Sequence, residues 1–150
     1  MSTPRCALRS HSGSSSAACG KAVLFRHARD HYHSMLRAAT SDTELCQLEV
    51  AGFGVSHDAL AAALCESWGL GPAAVAAVRH HVGVQAGGDL PAAPQRRAVC
   101  ALSALAHAVL SGERSVDEVV AQVAHQVPLD DTLVLRATAR VQEQMAAVDD

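Results

Sequence analysis

The stretch from His57 to His81 constrains the fold most. Leu60, Leu64 and Trp68 recur at four-residue steps, and Val75, Val78 and Val82 at steps of three and four. That is the period of a helix with one buried face, so the stretch reads as two short helices. Between them lies Trp68-Gly69-Leu70-Gly71-Pro72. Gly69 ends the first helix, and Pro72 opens the second, where its missing amide hydrogen costs nothing. Ser56 stands where a helix cap is wanted. His57 falls three residues before Leu60 and His81 three after Val78, so both rings start on the inner face. His80 points about 100° away. A site between the two helices is expected.

The same period runs through most of the chain. One face of Ala22 to Thr40 carries Leu24, Phe25, Ala28, Tyr32, Met35, Leu36 and Ala39, which predicts one continuous helix. Ser41 and Glu44 have capping-box spacing, so a helix follows through Leu45, Leu48 and Glu49 to Gly52 or Gly54. Residues 83–94, with three glycines and two prolines, read as a loop. A helix from Gln95 to Ser111 is expected to bury Val99, Leu102, Ala106 and Val109, with Gly112 closing it. Ser115 and Glu118 form a second capping box before Val116, Val119, Val120, Val123 and Val127. After Pro128, Asp130 or Asp131 caps a last helix that buries Leu133, Ala137, Val141, Met145 and Val148. The expectation is an all-α bundle of six to seven short helices over residues 20–148. Residues 1–19, polar and serine-rich, read as a disordered leader.

Composition agrees, since the apolar mass is Ala, Val and Leu with one Trp, one Tyr and two Phe, which suits close-packed helices better than sheets. With 150 residues, 49% of them hydrophobic, one domain with a core is expected. A net charge of -3 and the lack of a basic stripe or aromatic platform argue against nucleic acid as a partner. No apolar run approaches the roughly 20 residues of a membrane span. Five irregularly spaced cysteines fit free thiols in a reducing cytoplasm better than a disulfide framework. The first 29 residues hold five basic side chains and no acid, a faint likeness to a transit peptide that lacks its amphipathic face.

The chemistry-bearing candidates are histidines. His27 and His31 have the four-residue spacing of a metal pair but no carboxylate on the matching turn. His57, His80 and His81 form a better constellation, with Glu49 as the nearest carboxylate. Three imidazoles and one acid fall short of a dinuclear hydrolytic centre, so structural packing is the first expectation and metal ligation by His57, His80 and His81 the second. Phosphate-cradling glycine loops and a nucleophile elbow are absent. Cys19, Cys46, Cys65 and Cys100 have no activating base nearby in sequence and read as small core side chains.

In order, the residues Leu48-Glu49, Phe53-Gly54-Val55-Ser56-His57, Trp68-Gly69-Leu70, Pro72 and Val78-Arg79-His80-His81 resemble the C-terminal part of the HDOD domain, a bacterial signalling relative of HD and HD-GYP phosphohydrolases. Tyr32 to Leu36 and Leu102 to His107 resemble helices on either side, so the likeness covers about residues 20–148. Gly71 is an insertion in the family's Trp-x-Leu-Pro turn. The family motif thus comprises Glu49, Gly54, His57, Trp68, Leu70, Pro72, His80 and His81.

Catalytic relatives carry a metal-binding His-Asp pair before x-Gly-Lys. Here Ala17-Ala18-Cys19-Gly20-Lys21 stands in that place, and Ser103 stands where catalytic members have a later Asp. The resemblance therefore implies a non-catalytic regulatory or interaction module of bacterial signal transduction, without a cofactor. The alternative is a metal-dependent phosphohydrolase or phosphodiesterase with a rebuilt site, and a third reading is a fragment with only a structural role. The recognisable part begins near the family domain's middle. An apolar face, on the first helix or the 57–81 hairpin, is therefore expected to be covered by self-association or by a signalling partner.

Overall fold

The computed structural model describes residues 15–128 and 130–147, and these form helices joined by short turns. They are α1 (Ser15–His27), α2 (Arg29–Ala38), α3 (Asp42–Phe53), α4 (His57–Ser67), α5 (Pro72–Gln85), α6 (Pro94–Ser111), α7 (Val116–Ala124) and α8 (Asp131–Ala146). The all-α expectation holds. Two boundaries at the start differ. The helix has already begun at Ser15, so the last five residues of the anticipated leader are helical; residues 1–14 lie outside the described residues.

The expected helix from Ala22 to Thr40 is two helices, because Ala28 leaves helical geometry at φ -144° and ψ 69°. Neither glycine nor proline marks that break. It redirects the chain so that Leu24 from one side, and Tyr32 and Met35 from the other, meet Leu45 in one buried cluster.

Local signals place the later boundaries well. Gly54 ends α3 at φ 75° and Gly112 ends α6 at φ 64°, left-handed values that cost L side chains energy. Ser115 and Glu118 form the full capping box, and Val119, Val120 and Val123 are buried as their spacing requires. At α3 the box is shifted. The Ser41 hydroxyl accepts from the Glu44 amide, while the Glu44 carboxylate accepts from the Thr40 amide at 2.8 Å and hydroxyl at 2.7 Å. Helix α5 continues past Val82 to Gln85, because Val84 is buried in the main core, so only residues 86–93 form the loop.

α4 packs between α1 and α5, and α5 packs in turn on α6, with α7 and α8 following. These contacts run through small residues. α4 buries Ala61, Ala62 and Cys65 while Leu60 and Leu64 are half-buried, and Trp68, past the last turn, is 62% exposed. α6 buries Cys100, Ala101, Ala104, Leu105 and Ala108; of the four expected there, Leu102 is 57% exposed and Ala106 also faces out. Close helix approach selects a face made mostly of small side chains, with Leu105 the one leucine of α6 kept inside and Leu102 and Leu110 turned aside.

On α8, Leu133 and Val141 are exposed rather than buried, and Val134 makes the core contact. Of the other three residues expected to be buried there, Ala137 is also exposed, and the Met145 side chain and Val148 lie outside the described residues. Among the described residues no single helix is long and apolar enough to cross a membrane. α3 and α4 pass that test only as a pair, and they meet at 77°.

Candidate functional site: a buried carboxylate–imidazole network

The junction of α2, α3 and α4 holds two of the buried polar side chains among the described residues. Glu49 on α3 and His57 at the start of α4 are both 0% exposed, and Tyr32 on α2 is 1% exposed. Glu49 Oε1 accepts the Tyr32 hydroxyl proton at 2.6 Å. Glu49 Oε2 accepts the His57 backbone N–H at 2.7 Å and lies 2.8 Å from His57 Nδ1. A carboxylate from α3 thus caps the helix that Ser56 was expected to cap. The Ser56 hydroxyl donates instead to Asp58 Oδ1, which also accepts the Ala59 amide at 2.8 Å.

Burial and the neighbouring Glu49 carboxylate hold the Tyr32 phenol protonated far above its usual range. It can therefore only donate to Glu49. Since Oε2 also takes the His57 ring, the network assigns the proton to Nδ1 of that imidazole. Every group around Glu49 is then a donor, and the carboxylate answers them all. That geometry joins three helices by one side chain.

Cys46 lies at the edge of the cluster, with Sγ 3.7 Å from His57 Nδ1 and 3.8 Å from Asp58 Oδ1. Cys46, Glu49 and His57 could in principle share a metal ion, since their ligand atoms lie within 4.8 Å of one another. The donor set does not fit one well. Glu49 is committed to Tyr32 and His57, and burial followed by the Asp58 charge pushes the Cys46 thiol up to about 12, leaving it a neutral group.

His81 is 5% exposed and meets His57 edge to face at 5.8 Å between ring centroids. Its Nδ1 donates to the Val78 carbonyl at 2.6 Å. Nε2 of His57 and Nε2 of His81 are both buried without a hydrogen-bond partner among the described residues. Imidazoles anchored through one nitrogen with the other left open are how metal-ligating histidines are held. Two nitrogens alone make at most a weak site. His80 does not join them. It sits about 100° round α5 and lines a different cavity, with Pro72 and Leu70.

Of the remaining family positions, Gly54 gives the turn that leads from Glu49 to His57, and Trp68 and Leu70 are exposed. His27 and His31 are separated by the break at Ala28, and each packs edge-on to Phe53, at 6.5 and 5.4 Å. Ser103 is half-buried on α6. Sequence reasoning missed Tyr32 as part of the site. Its signal was chemical: the only tyrosine of a chain, placed on an inner face, needs a partner for its hydroxyl.

Desolvation is the main cause that depresses the His81 pKa below 6.5, with the His57 ring adding to it. The folded protein therefore keeps His81 neutral at a pH where the unfolded chain has begun to protonate it. Where the unfolded state binds more protons, stability rises with pH. The contribution is present in full above about 6.5 and is lost as pH falls through the depressed folded value. Urea unfolding followed from neutral to mildly acid pH is expected to show this decline. In His81→Gln the decline should be shallower.

An all-helical core whose α2, α3 and α4 are joined by a buried Glu–Tyr–His junction is the class of structure that the fold and site define. Residues 17–84, from within α1 through nearly all of α5, match the family model described as HDOD domain, the family the sequence resembles. The match ends before α6, so the expected likeness around Leu102 to His107 lies beyond it. No curated protein and no solved structure matches the chain.

Proposed function

We propose that the chain is a non-catalytic regulatory module of the HDOD kind that works by presenting helical surface to another protein in bacterial signal transduction. The observation that carries this reading is the Glu49–His57–Tyr32 junction. Two residues of the family motif are fully buried and bonded to one another, so they serve the fold instead of a substrate. Ala17 and Ala18 at the His-Asp position support the same reading.

Val23, Trp68 and Leu70 are exposed on α1 and the hairpin, as expected of a face offered to a partner, and a second apolar area lies between α6 and α8. There a groove of about 380 Å³ is lined by Leu102, Ala106, Val109, Val134 and Val141 and by Leu110, which is 62% exposed. Patches of this kind mark protein contacts more often than bare surface.

The second reading, a metal-dependent phosphohydrolase, is favoured by one observation: the two open Nε2 atoms of His57 and His81. Metal analysis of the purified chain, with phosphodiester turnover measured in added Mn²⁺ or Fe²⁺, separates the two. The module predicts substoichiometric metal and no turnover above background. Near-stoichiometric metal and turnover, both lost in His81→Ala, would establish the enzyme instead.

A further inference from the structure

A cavity of about 300 Å³ opens on the other side of α5 from the buried histidines. We propose that it binds a small phosphomonoester, a phosphate group carrying a compact apolar body, through Arg79 and Arg96. The site is independent of the regulatory reading above and of the Glu49–His57 junction.

Two arginines from different helices, Arg79 of α5 and Arg96 in the first turn of α6, line this one cavity. Neither makes a hydrogen bond or ion pair with any described residue. Their neighbours behave otherwise. Arg97 donates to the carbonyls of Pro91, Ala92 and Gln126, and Arg114 to the carbonyl of Gln85 and to Gln122 Oε1. Those guanidiniums hold loops together, whereas Arg79 and Arg96 keep all five of their N–H donors free. His80, half-buried in the same wall, offers a further ring nitrogen.

Charge and shape narrow the ligand. Two guanidiniums in one cavity repel each other, and only the carboxylate of Glu66 offsets them there. An anion relieves that repulsion. A monoester phosphate presents three terminal oxygens and up to two negative charges, which matches two planar forks better than the two oxygens and single charge of a carboxylate. α6 also starts at this point with Ala93 as its N-cap and no side-chain cap, so the positive end of its dipole adds to the field. The rest of the lining is largely apolar, with Leu70, Pro72 and Val75. It can cover a ring or short chain, and the volume is at the small end of ligand sites. Glu66 opposes the anion and keeps affinity modest.

The test is calorimetric titration of the full chain with inorganic phosphate, phenyl phosphate and benzyl alcohol in chloride buffer. Phenyl phosphate is expected to bind saturably at one site, more tightly than inorganic phosphate, and benzyl alcohol not at all. Arg79→Ala and Arg96→Ala should each weaken it about tenfold or more, as loss of a charge-assisted hydrogen bond does. Glu66→Gln should tighten it, a gain that a merely structural role does not produce. Arg136→Ala on α8 should change nothing. Because both arginines are exposed and unpartnered, their variants should keep the wild-type circular dichroism and thermal midpoint. No saturable binding of either phosphate, binding that survives both arginine substitutions, equal loss in Arg136→Ala, or equal binding of benzyl alcohol would each overturn the proposal.

Discussion

Gly20→Ala will destabilise the protein by about 3 kcal/mol, although glycine to alanine inside a helix ordinarily stabilises by about 1 kcal/mol. Gly20 is buried on α1 where that helix crosses α4. A β-carbon built there falls far inside contact with the His57 carbonyl oxygen, 2.9 Å from the carbonyl carbon and 3.1 Å from Ala61 Cβ. The obstructing atoms are helix backbone, which cannot swing aside as a flexible side chain can. α1 and α4 must separate, and α4 carries the His57 amide that Glu49 caps. Urea unfolding measures the loss. A variant as stable as wild type would mean that the two helices do not approach this closely. Gly20 also stands in the x-Gly-Lys of the family pattern. Its place there has a packing reason that does not depend on a His-Asp pair before it.

Glu49→Gln is expected to cost about 3–5 kcal/mol, even though the two side chains have the same shape. The Tyr32 hydroxyl, the His57 amide and His57 Nδ1 all donate to this carboxylate. An amide replaces one of its acceptor oxygens by an NH₂ group; with that group toward Tyr32 the phenol must turn to accept and its own proton loses the carboxylate, and the other way round it faces the His57 N–H donors. Tyr32→Phe removes a donor but leaves the carboxylate bonded to His57, and should cost less, about 2 kcal/mol. Denaturant unfolding of the two variants tests the order. Equal, small losses would show that the junction is solvated and does not hold α2, α3 and α4 together.

Both predictions concern residues whose importance was only partly legible. Glu49 and His57 could be picked out from the sequence as members of one constellation, and Glu49 could be read as the partner of a buried histidine. The third member, Tyr32, read only as an apolar contact. Its phenol reaches Glu49 because the chain turns at Ala28, and nothing between Arg26 and Arg29 signals a turn. His80 and His81 looked like a pair. One step along a helix is a rotation of about 100°, and it sends one ring to His57 and the other to the arginine-lined cavity.

The same division runs through the fold. Where a boundary depends on a few adjacent residues, the sequence was enough by itself: the Ser115 box, the glycines after α3 and α6, proline at the start of α5, and the valine face of α7. These are contests between a side chain and its own backbone, and they are settled within one turn. The buried faces of α4 and α6, the exposure of Trp68, the break at Ala28 and the capping of α4 from another helix were decided only in the tertiary structure. Periodicity identifies an apolar stripe but not which neighbour will press on it. When helices pack as closely as α1 on α4 or α5 on α6, alanine and glycine win the interface over leucine, because the distance between backbones, not hydrophobicity alone, chooses the face.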